Sequence, residues 1–143
     1  MLALYDVNVL LALFDAEHTQ HASALAWHDA NAAMGWATCP ITQNGLLRIM
    51  SQPTYSHPIP LASVANRLRE SATESAHHQF LTDDVSLIDP AIVRQNALLR
   101  PSALTDIYLL ALAFKHNARF VTFDRGVALS AVIGATTAHL ILL

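Results

Sequence analysis

The chain has 143 residues with a formal net charge of −3, and 53% of its residues are hydrophobic while only 13% are charged. That length suits one domain with one sizeable core, and so apolar a composition implies a sheet covered on both faces or a surface reserved for a partner. The charge balance excludes a general attraction to nucleic acid, so an anionic polymer would have to be held by a local basic patch or a metal. No apolar run reaches bilayer-spanning length, the longest being Ile107 to Phe114, and the first residues lack the pattern of a secretory signal. Together with a single cysteine, Cys39, which rules out an internal disulfide, this leads us to expect a cytoplasmic protein without a membrane anchor.

In chain order, Leu2 to Tyr5 reads as a short buried parallel strand, and Val7 to Phe14 as a buried helix. Asp6 and Asn8 stand at the switch between them, where a carboxylate serves either as a helix cap or as a site residue at the carboxyl end of a strand. A second helix should open at Thr19 or Gln20, with Ala22, Leu25, Ala26 and Ala30 forming its apolar face. Gly35 to Pro40 reads as a second strand ending at the proline, followed by a helix from Thr42 or Gln43 to Ile49 or Met50. A loop with three prolines, Gln52 to Pro60, leads into a helix over Leu61 to Ala76 and a weak strand at Gln79 to Thr82 or Val85 to Leu87. A short helix is expected from Pro90 to Leu99, stopped by Pro101. Asp106 to His116 is apolar nearly all round, a core helix with Asn117 as its left-handed stop. Strands at Arg119 to Phe123 and His139 to Leu143 complete the alternation. The fold class is therefore α/β, a three-layer sandwich whose central, mostly parallel sheet is flanked by helices.

In such a sheet the carboxyl ends of the strands and the starts of the following helices share one edge. Asp6, Asp106 and Asp124 then converge although they are far apart in sequence. Clustered carboxylates repel one another, and a hard divalent cation such as Mg²⁺ resolves the conflict while activating water against a phosphodiester. Taken singly, Asp106 also reads as a helix N-terminal charge and Asp124 as a turn residue.

Four segments carry a family resemblance: Leu-Tyr-Asp-Val-Asn-Val-Leu-Leu-Ala-Leu from Leu4, Ile-Thr-Gln-Asn-Gly-Leu-Leu-Arg-Ile-Met from Ile41, Leu-Thr-Asp-Ile-Tyr-Leu-Leu-Ala-Leu-Ala from Leu104, and Phe-Val-Thr-Phe-Asp-Arg-Gly from Phe120. In this order the chain resembles a PIN domain, specifically the VapC-type toxin ribonucleases of bacterial toxin–antitoxin modules, from about Leu2 to Leu143, so residues 1–143 are expected to form one domain. The resemblance implies an endoribonuclease dependent on Mg²⁺ or Mn²⁺, with Asp6, Asp106 and Asp124 as metal-binding aspartates and Thr122 as the hydroxyl residue beside the last. Asn8 and Asn44 would support them. Many family members carry an acid where Gln43 stands, so metal affinity should be weaker, and Gln43 or Asn44 would position water.

The resemblance also implies an RNA substrate, a homodimer, and a VapB-like antitoxin packed in a groove for which the first two helices and the helix from Leu61 are candidates. Arg48 and Arg125 are the nearest cations to guide RNA. Trp36 and Tyr55 are candidates to stack on a base or to pack internally. His18 with His21, and His77 with His78, lack the pattern of a zinc site. The rival readings are a catalytically weak RNA- or protein-binding module, motivated by Gln43, and a phosphoacceptor receiver domain or a dinucleotide enzyme, whose paired acids, lysine or glycine-rich turn are missing.

Overall fold

A computed structural model describes all residues from Met1 to Leu143. Its centre is β1 (Leu2–Tyr5), flanked by β2 (Trp36–Thr38) and β4 (Ala118–Thr122), with β3 (His78–Phe80) and β5 (Leu140–Leu142) at the two edges. All four pairings are parallel, with Leu4 level with Ala37 on one side and with Phe120 on the other. The carboxyl ends of the strands therefore share one rim.

Alternation along the strands divides the core in two. Leu4, Ala37 and Phe120 face α5 (Leu104–Lys115), whose Ile107 and Leu109 to Ala113 are buried against them. Ala3, Tyr5, Trp36 and Val121 face the other layer, built from α1 (Val7–Phe14), α3 (Pro40–Ser51) and α4 (Leu61–Glu74), which contribute Val9, Leu10, Leu46, Met50, Val64 and Leu68. A strand buried on both faces and a helix apolar nearly all round are what these two layers demand. Gly45 lets α3 approach α1, since a Cβ there would lie 2.5 Å from Val7 Cγ2. Asn117, at φ 51°, ends α5 in the left-handed conformation expected of it.

Several elements differ from the sequence reading. α2 (His21–Asn31) starts after a turn at His18 to Gln20, and it buries Ala24, with Trp27 and His28 half-buried, whereas Ala22, Leu25, Ala26 and Ala30 are exposed. The reason is ring chemistry: Tyr5 donates or accepts a 2.8 Å bond at His28 Nδ1 and meets Trp27 edge-on at 5.7 Å, which outweighs a stripe of alanines. Pro40 does not end the second strand at a distance from the next helix; it is the first residue of α3, where its missing N–H costs nothing. The stretch from Pro90 to Leu99 forms turns and one 3₁₀ segment, Gln95–Ala97, in place of an α-helix. Its backbone is claimed by a bridge from Val93 to Val132, with bonds Arg94 N to Ala131 O and Ile133 N to Ile92 O, both 2.9 Å. The last strand begins at Leu140 because His139 closes a 3₁₀ turn, Thr137–His139. No helix is long and apolar enough to cross a membrane.

Candidate active site

Asp6 sits between β1 and α1 and uses both carboxylate oxygens. Oδ1 accepts the Val7 amide at 2.7 Å, capping α1, and Oδ2 accepts the Thr122 hydroxyl at 2.6 Å. Cap and site position are thus the same residue. Thr122, fully buried at the end of β4, is the hub: its oxygen also accepts the Asp124 amide at 3.0 Å and the Asn8 side-chain amide at 3.4 Å. The oxygen of the same Asn8 amide, Oδ1, is buried without any donor. Asp124 is exposed at the head of a turn, where its Oδ1 accepts the Gly126 amide at 2.6 Å.

Asp106, the third residue of α5, completes the group. Desolvation, the charges of Asp6 and Asp124, and a carboxyl hydrogen bond with Asp124 push its pKa up to about 6. Asp6 is also raised, first by burial and further by Asp124, against the opposing bonds from Thr122 and Val7. The charges of Asp6 and Asp124 thus act on Asp106, and that of Asp124 on Asp6, which puts the three aspartates within electrostatic reach at one rim. All the ligands they offer are hard oxygens, and Asn8 Oδ1 adds an acceptor without a partner. That donor set fits a hard divalent cation.

The remaining candidates are placed less centrally. Gln43 is half-buried in the first turn and a half of α3 and donates from Nε2 to Thr38 Oγ1 at 2.9 Å; no hydrogen bond joins it to the aspartates. Thr38, which the sequence did not single out, is in turn paired with His78 Nε2 at 2.9 Å, and the only signal for it was a hydroxyl at the end of the second strand. Asn44 is exposed, Arg48 lies in the last turn of α3, and Arg125 is exposed beside Asp124. Trp36 is 4% exposed and held between Tyr5 and His78, with ring centroids at 5.8 and 4.4 Å, so its faces are already taken. Tyr55 donates to Asp15 Oδ2 at 2.6 Å. His21 is bonded to the Ala12 carbonyl at 2.6 Å and His18 accepts the Gln20 amide at 3.1 Å.

A separate grouping, Asp15, Glu17 and His57, lies past the far end of α1, with ligand atoms within 4.8 Å of one another. It is satisfied internally, by Tyr55 on Asp15 and by His57 Nε2 at 3.2 Å from Glu17.

Residues 3–132 match the sequence profile of the PIN domain. Two curated relatives, both from Mycobacterium tuberculosis, are ribonuclease VapC44, 49% identical over 98% of each chain, and ribonuclease VapC38, 40% identical over 88% of this chain and 87% of its own. Among solved structures the fold is similar to that of a chain in the crystal structure of VapBC2 from Rickettsia felis bound to a DNA fragment from their promoter. The TM-score there is 0.61 at 13% identity, covering 88% of this chain and 90% of that one.

Proposed function

The chain belongs to the PIN-domain family, alongside proteins named ribonuclease VapC, and on that premise we propose that it is a metal-dependent endoribonuclease, the toxin of a toxin–antitoxin module. What supports the reading is that the Thr122 hydroxyl bonds both Asp6 and the Asp124 amide, while Asp106 lies within electrostatic reach of Asp6 and Asp124. We take residues 1–143 as one domain, because β5, beyond the matched range, pairs with β4 in the same sheet.

Asp6, Asp106 and Asp124 would hold Mg²⁺ or Mn²⁺. Once bound, such a cation supplies an activated water at neutral pH and charge stabilisation for the departing oxygen. Thr122 fixes the second oxygen of Asp6, so the carboxylate cannot rotate away from the rim. The bond from Gln43 Nε2 to Thr38 leaves the Gln43 carbonyl oxygen as the end of that amide able to align water, with Asn44 beside it. Arg125 and Arg48 guide the RNA backbone. Attack of water in line on phosphorus leaves a 5′-phosphate and a 3′-hydroxyl, and the 2′-hydroxyl is not consumed.

For the antitoxin, α1, α2 and α4 enclose a cavity of about 350 Å³ whose lining includes Leu13, Phe14, Leu25, Trp36, Arg67 and Glu70. Its mixed apolar and charged wall suits a VapB-like segment, and the toxin itself would form a homodimer, each copy held by an antitoxin. This reading places the chain in the cytoplasm with its RNA and its antitoxin.

The test is cleavage of RNA by the purified chain with Mg²⁺, with EDTA, and after Asp6→Asn. Activity that needs the cation and disappears in the variant supports the reading; equal cleavage by Asp6→Asn overturns the site. The second reading, a weakly active RNA- or protein-binding module, is favoured by the engagement of Gln43 with Thr38 in place of an acid at the rim. Metal-independent binding without cleavage would establish it.

A further inference from the structure

We propose that Arg100, together with Arg125 and Arg48, forms a three-point phosphate track that takes a single RNA strand across the acidic rim from the α5 face of the sheet to the α3 face. The proposal rests on the nuclease reading above and adds its substrate path.

The chain has eight lysines and arginines. Five are engaged by the protein itself: Lys115 with Asp84, Arg67 with the Phe14 carbonyl, Arg69 with Asn66, Arg94 with the Ser130 carbonyl, and Arg119 with the Met1 carbonyl and the Trp27 ring. Arg48, Arg100 and Arg125 make no side-chain hydrogen bond or ion pair, and all three are exposed.

These three are distributed around the aspartates. Arg125 directly follows Asp124. Arg100 opens the 3₁₀ turn Pro101–Ala103, which runs without a break into α5 and so to Asp106. The turn is closed by Ala103 N on the Arg100 carbonyl at 3.0 Å, which fixes the Arg100 backbone next to the helix start. α5 covers one face of the sheet, and α3, with Arg48, packs on the other. Arg48 lines a concave surface with Asn44 and Gly45, and Gly45 is the residue in contact with Val7, next to Asp6. A polyanion lying over the rim thus finds Arg125 beside Asp124, Arg100 in the turn that leads into α5, and Arg48 further along α3 on the other face of the sheet. In a chain of net charge −3, a local basic patch beside the metal site is what draws a backbone of phosphates to an acidic centre.

Arg100 is not adjacent in sequence to any candidate acid, which is why sequence reading passes it by. Its test separates charge contact from structure. The full-length Asp6→Asn chain is titrated, with Mg²⁺ present, against an end-labelled oligouridylate over a series of salt concentrations. Each phosphate contact removed from a single strand lowers the log–log salt slope by about 0.7. Arg100→Ala in that background should lose about that much, Arg100→Lys should keep the slope, and Lys115→Gln, the same charge change at the opposite end of α5, should leave it unchanged. If Arg100→Ala keeps the full slope while Arg125→Ala loses it, the track is wrong and the nuclease reading stands. If Arg100→Ala and Arg100→Lys lose the slope equally, the residue acts through structure and the track is again wrong. A chain that neither cleaves RNA in its intact form nor binds it as Asp6→Asn overturns both.

Discussion

The Thr122 hydroxyl donates to Asp6 Oδ2 at 2.6 Å across the two central strands, joining residues that are 116 positions apart. The same oxygen receives the backbone amide of Asp124, so one buried side chain holds the carboxylate of one aspartate and the main chain of another.

Thr122→Val should therefore harm activity and stability together. The valine has the same shape but leaves Asp6 Oδ2 and the Asp124 amide without a partner, at a cost of about 1–3 kcal/mol. RNA cleavage should fall about 10- to 100-fold, the usual effect of removing an outer support of a metal ligand. Thr122→Ser should recover most of both. Urea unfolding and single-turnover cleavage check this, and a Val variant with parental rates would show that Thr122 orients nothing.

Asp6→Asn separates function from fold. Asparagine caps a helix as well as aspartate, so the Val7 bond survives; its nitrogen turned to Thr122 costs that hydroxyl its acceptor, which the removed burial cost of a carboxylate offsets. Cleavage should drop by more than the roughly 100-fold expected of outer-layer changes, with a melting temperature equal to or above that of the parent. A marked fall in melting temperature would mean that Asp6 serves the fold more than the chemistry.

Asp106 should contribute stability to the metal-free protein in acid over a defined window, against His28 and His78, which burial holds below the usual histidine value. Asp106 titrates at about 6 in the fold, against a usual value of 3.8, so the folded state holds more protons than the unfolded chain between those limits. Stability contributed by this group is greatest below the lower limit and is lost as pH rises through the upper one. Mg²⁺ competes for the same oxygens, so its stabilising effect should grow in the opposite direction. Melting curves with EDTA and with Mg²⁺ from about pH 4 to about pH 7 check both signs. Asp106→Asn should remove this acid-favouring contribution from the EDTA profile, and an unchanged profile would remove Asp106 from the cluster.

Gly45→Ala should destabilise the chain by about 1–3 kcal/mol, as overpacking does, because the new Cβ would lie 2.5 Å from Val7 Cγ2 and 3.1 Å from Cγ1. Adding Val7→Ala should recover part of the loss, giving a favourable coupling in a double-mutant cycle. Additive losses would mean that α1 and α3 are free to separate.

Much of the fold and the three-aspartate core of the candidate site were legible in the sequence because they follow from short-range patterns. Apolar runs bounded by Asp6 and by Asp124, and a helix apolar all round after Asp106, require a parallel sheet covered on both faces and so imply the shared rim. Where the outcome depended on partners distant in sequence, the pattern misled. Ala22, Leu25, Ala26 and Ala30 have helical spacing, yet the bond between Tyr5 and His28 turns α2 the other way. Pro90 to Leu99 has a helical start signal, yet Val132 claims its backbone. Gln43 was placed from family likeness; its tie to Thr38 is local, but the bond of Thr38 to His78 depends on the pairing of β2 with β3, which no local motif encodes. Arg100 was missed for a related reason, since an unpaired cation is recognised only after all the paired ones are known.

The two outermost strands are only three residues each, and each carries a bulky apolar side chain, Phe80 on one and Leu142 on the other, close to half exposed. So little free backbone at either margin gives a neighbouring molecule almost nothing to zip onto. Edges this short favour helix side chains over strand backbone for any pairing between copies, which would leave the carboxyl ends of the strands uncovered.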